Sequence, residues 1–201
     1  MPKKVDKLAR KELILSTALK IFAKDGYRDA NLSLIAEESG VSRPTLYQYF
    51  HDKNDIFYYA AKLVTGKMFE RYSQIAWEEG DADEIDRIMS IAKDVLEVAS
   101  SNGSTVSNLL EFMLSEKKRG VDFAKVVEKR TAKLVILLKR LIRQGISGGR
   151  IIKCNVDDVA KNIFNLIESC CFQVGFFQTF DKDAALELME SYLDFLRIKL
   201  Y

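Results

Sequence analysis

A chain of 201 residues that is 48 % hydrophobic can fill one large core or two modest ones. Its 31 basic and 29 acidic side chains leave a net charge of only +2, so any contact with a polyanion depends on where the charges sit and not on their sum. No apolar stretch approaches the roughly 20 residues that span a bilayer, and three cysteines do not make a disulfide framework. A single histidine, His51, excludes most His-based metal sites and argues against a Ser-His or Cys-His catalytic pair.

Residues 1–24 carry seven basic side chains (Lys3, Lys4, Lys7, Arg10, Lys11, Lys20, Lys24) against Asp6 and Glu12. They read either as a cationic arm that attracts phosphate or as a solubilising tail. The segment is amphipathic and has no continuous apolar h-region, so no secretory signal is expected and the chain reads as cytoplasmic. A first helix over residues 5–24 has Ile14, Ala18, Ile21 and Phe22 as its inner stripe and stops at Asp25-Gly26, with Tyr27 folding back onto a small core.

Residues 31–50 hold two short apolar stripes: Leu32, Ile35 and Ala36, then Leu46 and Phe50. Between them Gly40 suits a left-handed helix stop, Val41 fills the angle, Ser42 caps the next helix, and Pro44 sits in a first turn where its missing N–H costs nothing. Two short helices joined by a tight Gly-containing turn predict a helix-turn-helix. Stepping about 100° per residue puts Phe50 about 40° from Leu46, and Pro44, Thr45, Tyr47 and Gln48 between about 100° and 260° from it. The polar, aromatic face therefore opposes the core face. Arg43 suits a guanine edge and Gln48 an adenine edge, Thr45 and Pro44 a thymine methyl, and Tyr47 and Tyr49 phosphate oxygens. An amphipathic helix with a solvated face has the same spacing, so spacing alone leaves both readings open.

Asp52 is a natural N-cap for a helix starting at Lys53, where free N–H groups and the lysine charge both favour a phosphate. His51, in the turn before it, suits a backbone contact or plain exposure.

With these flanks included, residues 11–55 resemble the DNA-binding region of the TetR family of one-component transcriptional repressors. The resemblance rests on Phe22-Ala-Lys-Asp-Gly-Tyr27, Ile35-Ala36, Gly40-Val41-Ser42, Thr45-Leu46-Tyr47-Gln48-Tyr49-Phe50 and Lys53. It implies that Lys53 clamps the DNA backbone and that Ser33, Ser42, Arg43, Pro44, Thr45, Tyr47, Gln48 and Tyr49 face DNA. Pro44 stands where the family often has Gly or Ala, and Ser33 where some members place polar or basic contacts, so the operator sequence stays open.

Downstream, Ile56, Ala60, Val64 and Met68 carry a long fourth helix toward Trp77, broken by Gly80-Asp81. A fifth helix holds Ile85, Ile88, Met89, Ala92 and Leu96 and ends near Ser101-Asn102-Gly103. A sixth spans 104–119 and a seventh 121–144. Lys117 to Arg143 is a second basic region, but its charges interleave with Val126, Val127, Leu134, Leu137 and Leu141, as on a solvated helix face. Asn155 or Asp157 opens an eighth helix with Val159, Ile163, Leu166, Ile167 and Cys170 inside, and a ninth follows Asp181. Residues 172–180 are apolar on more than one face. No strand of any length is predicted.

The expected fold is all-α with about nine helices: a DNA-binding domain over residues 1–52 and a helical effector-binding and dimerisation domain over 53–201. The last two helices have more apolar positions than one core needs, which predicts a homodimer contact through Ile163, Ile167, Cys170, Val174, Phe177, Met189 and Leu193, the other reading being that they simply cover helices four to seven. A dimer would let two reading heads address a palindrome.

The family resemblance implies a small-molecule effector cavity among helices four to eight. Met68, Met89, Phe112, Met113, Phe123 and Phe164 are its candidate walls, and plain core is their other reading. Hence the expected function is a repressor on a palindromic operator, released by a hydrophobic or amphipathic effector. The alternative is a DNA-binding regulator controlled by a protein partner or by no ligand. No enzyme motif, metal site or cofactor is expected. Cys154, Cys170 and Cys171 read as packing residues, with a redox role left open.

Overall fold

The computed structural model describes residues 7–77, 82–100, 105–120 and 123–198, and no side chain of residues 105 and 123–130. Lys3 and Lys4, the Gly80-Asp81 break, the Ser101-Asn102-Gly103 stop and the Phe123 side chain therefore lie outside the described residues.

The helices are α1 (Lys7–Asp29), α2 (Leu32–Glu38), α3 (Arg43–Tyr47), α4 (Lys53–Trp77), α5 (Glu84–Ser100), α6 (Thr105–Lys118), α7 (Phe123–Ser147), α8 (Val156–Phe172) and α9 (Lys182–Asp194). A π-turn, Gln173–Phe177, extends α8. Among the described residues the one β-type pairing is an isolated bridge between Ile151 and Arg197. The fold is all-α.

Helix ends follow local chemistry. Within α1, Gly26 sits at φ 82°, ψ 159°, so the ladder breaks at the Asp25-Gly26 stop even though helical turns resume on both sides. Asp52 caps α4 by accepting from the Asp55 N–H at 2.8 Å, while the Asp55 carboxylate accepts from the His51 N–H at 3.1 Å. Asn155 caps α8 and Asp181 caps α9. The Asp83 carboxylate accepts from the N–H groups of Ile85 and Asp86, both at 2.9 Å, at the start of α5.

The chain packs as two compact units, residues 1–67 with 107–121, and residues 68–106 with 122–201. The unit that holds the helix-turn-helix thus extends past residue 52, into the first half of α4 and most of α6.

In the first unit, Ile14, Ala18, Ile21 and Phe22 of α1 bury their stripe with Ile35, Leu46, Phe50 and Ile56. An aromatic cluster completes it: Phe57 stacks on Phe112 of α6 at 4.6 Å between centroids, and Tyr27 meets Phe57 and Phe112 edge-on at 5.0 and 5.8 Å.

In the second unit, the core is built by Ile88, Ile91 and Leu96 of α5, Leu138, Leu141 and Ile142 of α7, Ile163, Ile167 and Cys170 of α8, and Met189 and Leu193 of α9. Gly175 in the π-turn lies so close to α5 that a Cβ there would stand 2.7 Å from the Ala99 carbonyl oxygen. Only glycine allows that approach.

Two expectations change here. Ile163, Ile167, Cys170, Met189 and Leu193, expected at a subunit interface, are fully buried in the protomer's own core, because that is the face α8 and α9 turn toward α5 and α7. Val174 is half-buried against the same core, and Phe177 is exposed. Phe112, expected to line an effector cavity, is buried instead in the aromatic cluster of the first unit.

Candidate nucleic-acid interface

The helix-turn-helix is assembled from backbone hydrogen bonds that its own residues supply. Asn31 Oδ1 accepts from the Leu34 N–H at 2.9 Å and starts α2. At its end Gly40 takes φ 64°, the Gly40 N–H donates to the Glu37 carbonyl at 3.0 Å and the Val41 N–H to the Ala36 carbonyl at 3.0 Å. This pair of bonds is the Schellman arrangement, which ties off the last carbonyls of α2 and turns the chain. Ser42 Oγ then accepts from the Thr45 N–H at 3.3 Å and caps α3.

Regular helix in α3 ends at Tyr47, earlier than the stretch through Phe50 that the apolar spacing suggested. The next turn is tightened: the Gln48 N–H donates to the Thr45 carbonyl and the Tyr49 N–H to the Leu46 carbonyl, while the Phe50 N–H returns to the Leu46 carbonyl. Leu46 and Phe50 are both buried, which fixes the rotation of the element about its axis. Arg43, Pro44 and Gln48 are exposed as a result, as is Tyr47 at 47 %. Ser33 is exposed on α2 and Ser42 at the cap.

Thr45 is half-buried with its hydroxyl 2.8 Å from Ser42 Oγ, so its methyl and not its hydroxyl is free to touch a partner. Tyr49 is also half-buried, its ring centroid 6.4 Å from that of Phe50.

Lys53, for which the resemblance implied a clamp on the DNA backbone, is partly buried. Its ammonium donates to the Arg28 carbonyl at 2.8 Å and lies 4.8 Å from the Tyr27 ring centroid. Burial lowers its pKa, with Asp29 and Glu111 opposing that shift. At least one of its three donors is therefore spent inside the protein.

Features that sequence reading missed come from long-range partners. Lys11, counted above only as positive charge, sits over the Tyr59 ring at 3.9 Å and 5.5 Å from the Phe50 centroid, so its position supports the end of the reading element. Two α6 side chains, Asn108 and Glu111, also bond to the backbone of the last turns of α1.

In the second unit, Met68, Met89 and Phe164 are partly buried against the core, as a cavity wall or ordinary packing requires. Among the described residues, none gives the buried Tyr72 hydroxyl a hydrogen bond. A shallow pocket of about 210 Å³ lies between α5 and the end of α9, lined by Met89 and Leu193 among Asp86, Glu190, Asp194 and Arg197. Its arginine is committed to Asp83 and Asp86. Cys154, Cys170 and Cys171 are free thiols, and burial raises the pKa of each, that of Cys171 to about 12. Burial of this kind disfavours the thiolate. Among the described residues no helix is long and apolar enough to cross a membrane, and no cluster of three or more His, Cys, Asp or Glu side chains could hold a metal ion.

Residues 14–60 match the family described as "Bacterial regulatory proteins, tetR family". The fatty acid metabolism regulator protein of Bacillus subtilis is 25 % identical over 138 residues, 69 % of this chain and 69 % of that protein. The HTH-type transcriptional regulator HbdR of an Aromatoleum species is 41 % identical over 63 residues, 31 % of this chain and 27 % of its own length. Among solved structures, the transcriptional regulator FadR from Bacillus subtilis in complex with stearoyl-CoA superposes with a TM-score of 0.68 at 22 % identity, covering 94 % of this chain and 99 % of that one. A TetR transcription regulator from Haloarcula marismortui superposes with a TM-score of 0.80 at 18 % identity, over 94 % and 99 % of the two chains. The match to the family of bacterial regulatory proteins, tetR family, covers residues 14–60, and the helix-turn-helix described above lies wholly within that stretch.

Proposed function

We propose that this protein is a transcriptional repressor that binds a palindromic operator as a homodimer and leaves it when a hydrophobic or amphipathic small molecule binds the second unit. The observation that carries the reading is the division of α3 and its following turn: Leu46 and Phe50 face inward, while Arg43, Pro44, Tyr47 and Gln48 are exposed together. That set offers donors, acceptors and apolar contacts suited to base edges in a major groove. Exposed Phe177, at 60 %, and Phe195, at 81 %, with Leu188 on α9, support a dimer on that side of the molecule.

For the effector, the relatives support an acyl-chain compound. One is named for fatty acid metabolism, and one structural neighbour is described in complex with stearoyl-CoA. Met68 and Phe164 suit an acyl chain, and the orphaned Tyr72 hydroxyl suits its carbonyl oxygen. An effector that favours a non-binding spacing of the two heads would release DNA by its differential affinity, on the order of 1–3 kcal/mol.

The test is selection of bound duplexes from a random library with the full-length protein. An enriched inverted repeat with half-sites about one DNA turn apart is the expected result. A library that stays random at low salt ends the proposal.

A further inference from the structure

Residues 26–29, the corner between α1 and the reading element, are held mainly by side chains from α6. Asn108 is buried, and its amide spans the Gly26 break: Nδ2 donates to the Phe22 carbonyl at 2.6 Å, and Oδ1 accepts from the Tyr27 N–H at 2.7 Å. One turn on, Glu111 Oε2 accepts from the Arg28 N–H at 3.1 Å. Farther along α6, Glu116 Oε1 accepts from Asn54 Nδ2 at 2.5 Å, and Asn54 Oδ1 accepts from the Tyr27 hydroxyl. Arg119 closes the set by pairing with Asp52, the cap of α4, at 3.1 Å.

A glycine break is a soft point, because the peptide groups beside it are free to rotate unless something pins them. Here one buried amide pins a carbonyl before the break and an N–H after it, with both of its functional groups satisfied. The angle at which α2 and α3 leave α1 is then set by a side chain more than eighty residues downstream.

From this geometry we infer that Asn108 is a positioning residue for DNA reading: its amide fixes the α1–α2 corner and so the placement of Arg43 and Gln48. The inference rests on the DNA-binding reading above and adds that the reading head is incomplete without α6. Val106, two residues before Asn108 on the same helix, packs in the second unit so tightly that a Cβ at Gly175 would stand 2.6 Å from its Cγ2.

The experiment compares full-length wild type with Asn108→Ala at a temperature where circular dichroism shows both folded. It measures affinity for the library-selected operator and for a scrambled duplex of equal length, together with hydrogen exchange at the Tyr27 and Arg28 amides. Losing the amide should cut the operator-to-scrambled affinity ratio by about tenfold, the worth of one to two buried hydrogen bonds. The salt slope on scrambled DNA should stay unchanged, since no phosphate contact is removed. Exchange at Tyr27 should accelerate. A folded variant with an unchanged ratio overturns the inference. If Asn108→Ala does not fold, Asn108→Ser, whose hydroxyl stands one bond shorter than the amide atoms and cannot span both partners, is read on the same scale with the same two outcomes. Wild type that shows no preference for any duplex would instead remove the DNA-binding reading itself.

Discussion

Tyr72 puts a phenol hydroxyl inside the second unit, where no described residue meets it at ordinary hydrogen-bond geometry and Asp94 is the nearby carboxylate. Burial raises its pKa, and the nearby Asp94 carboxylate adds to the shift. That carboxylate is itself committed to Arg71 at 2.6 Å. An unsatisfied buried hydroxyl costs about 1–3 kcal/mol. Tyr72→Phe should therefore raise the urea midpoint of the ligand-free protein, by about 1 kcal/mol of stability. A lower midpoint would show that the hydroxyl is already satisfied. If an effector carbonyl docks there, the same variant also binds that effector more weakly, so stability and affinity move in opposite directions. Lys53 shows the converse case, a charged group whose donor is spent on a backbone carbonyl, so its removal would loosen the corner as well as any phosphate contact.

At the scale of elements, most helix ends announce themselves, because a cap is a local bargain between a side chain and backbone groups two or three residues away. The links between elements are less local. Glu84, in the first turn of α5, receives both Nε and Nη2 of Arg150 at 2.6 Å, tying α5 to the loop before α8. The Arg150 hydrogen bonds hold the Glu84 carboxyl below the usual carboxylate range, against an opposing push from burial. A carboxylate whose folded pKa is depressed contributes stability above its unfolded pKa and loses it as pH falls through the folded value. Wild type should thus exceed Glu84→Gln by about 1–2 kcal/mol at pH 7, with the difference vanishing at pH values below the carboxylate range. Parallel urea curves for the two proteins at every pH would show that the pair contributes nothing. The π-turn after α8 was not readable as such: it brings Gly175 against Ala99, a contact between residues far apart in the chain.

At the scale of the whole molecule, the proposed dimer depends on which apolar side chains the protomer leaves uncovered. Phe195 is 81 % exposed just beyond the last turn of α9, and Leu188 is exposed two turns earlier on the same helix. Phe195→Glu should convert a micromolar dimer to monomer in sedimentation equilibrium while leaving the thermal midpoint of the monomer nearly unchanged, since that side chain buries little within the protomer. Operator affinity should fall with it, because a single head makes few base contacts. A Phe195→Glu protein that sediments as the wild type does would move the interface elsewhere.

The helix-turn-helix was legible because each of its decisions is made within a few residues: a glycine at the stop, a serine at the start, and Leu46 and Phe50 spaced to bury one side. The all-α class and the caps of α4, α8 and α9 follow from the same short-range chemistry. Tertiary structure alone decided which face of α8 and α9 is inside, that Phe112 and Asn108 of α6 serve the reading unit, and that Lys53 turns toward Arg28. Amphipathic spacing says how many apolar faces a helix has but not which neighbour covers each one. That choice is made by packing between residues eighty or more apart, where local sequence carries no record of the partner.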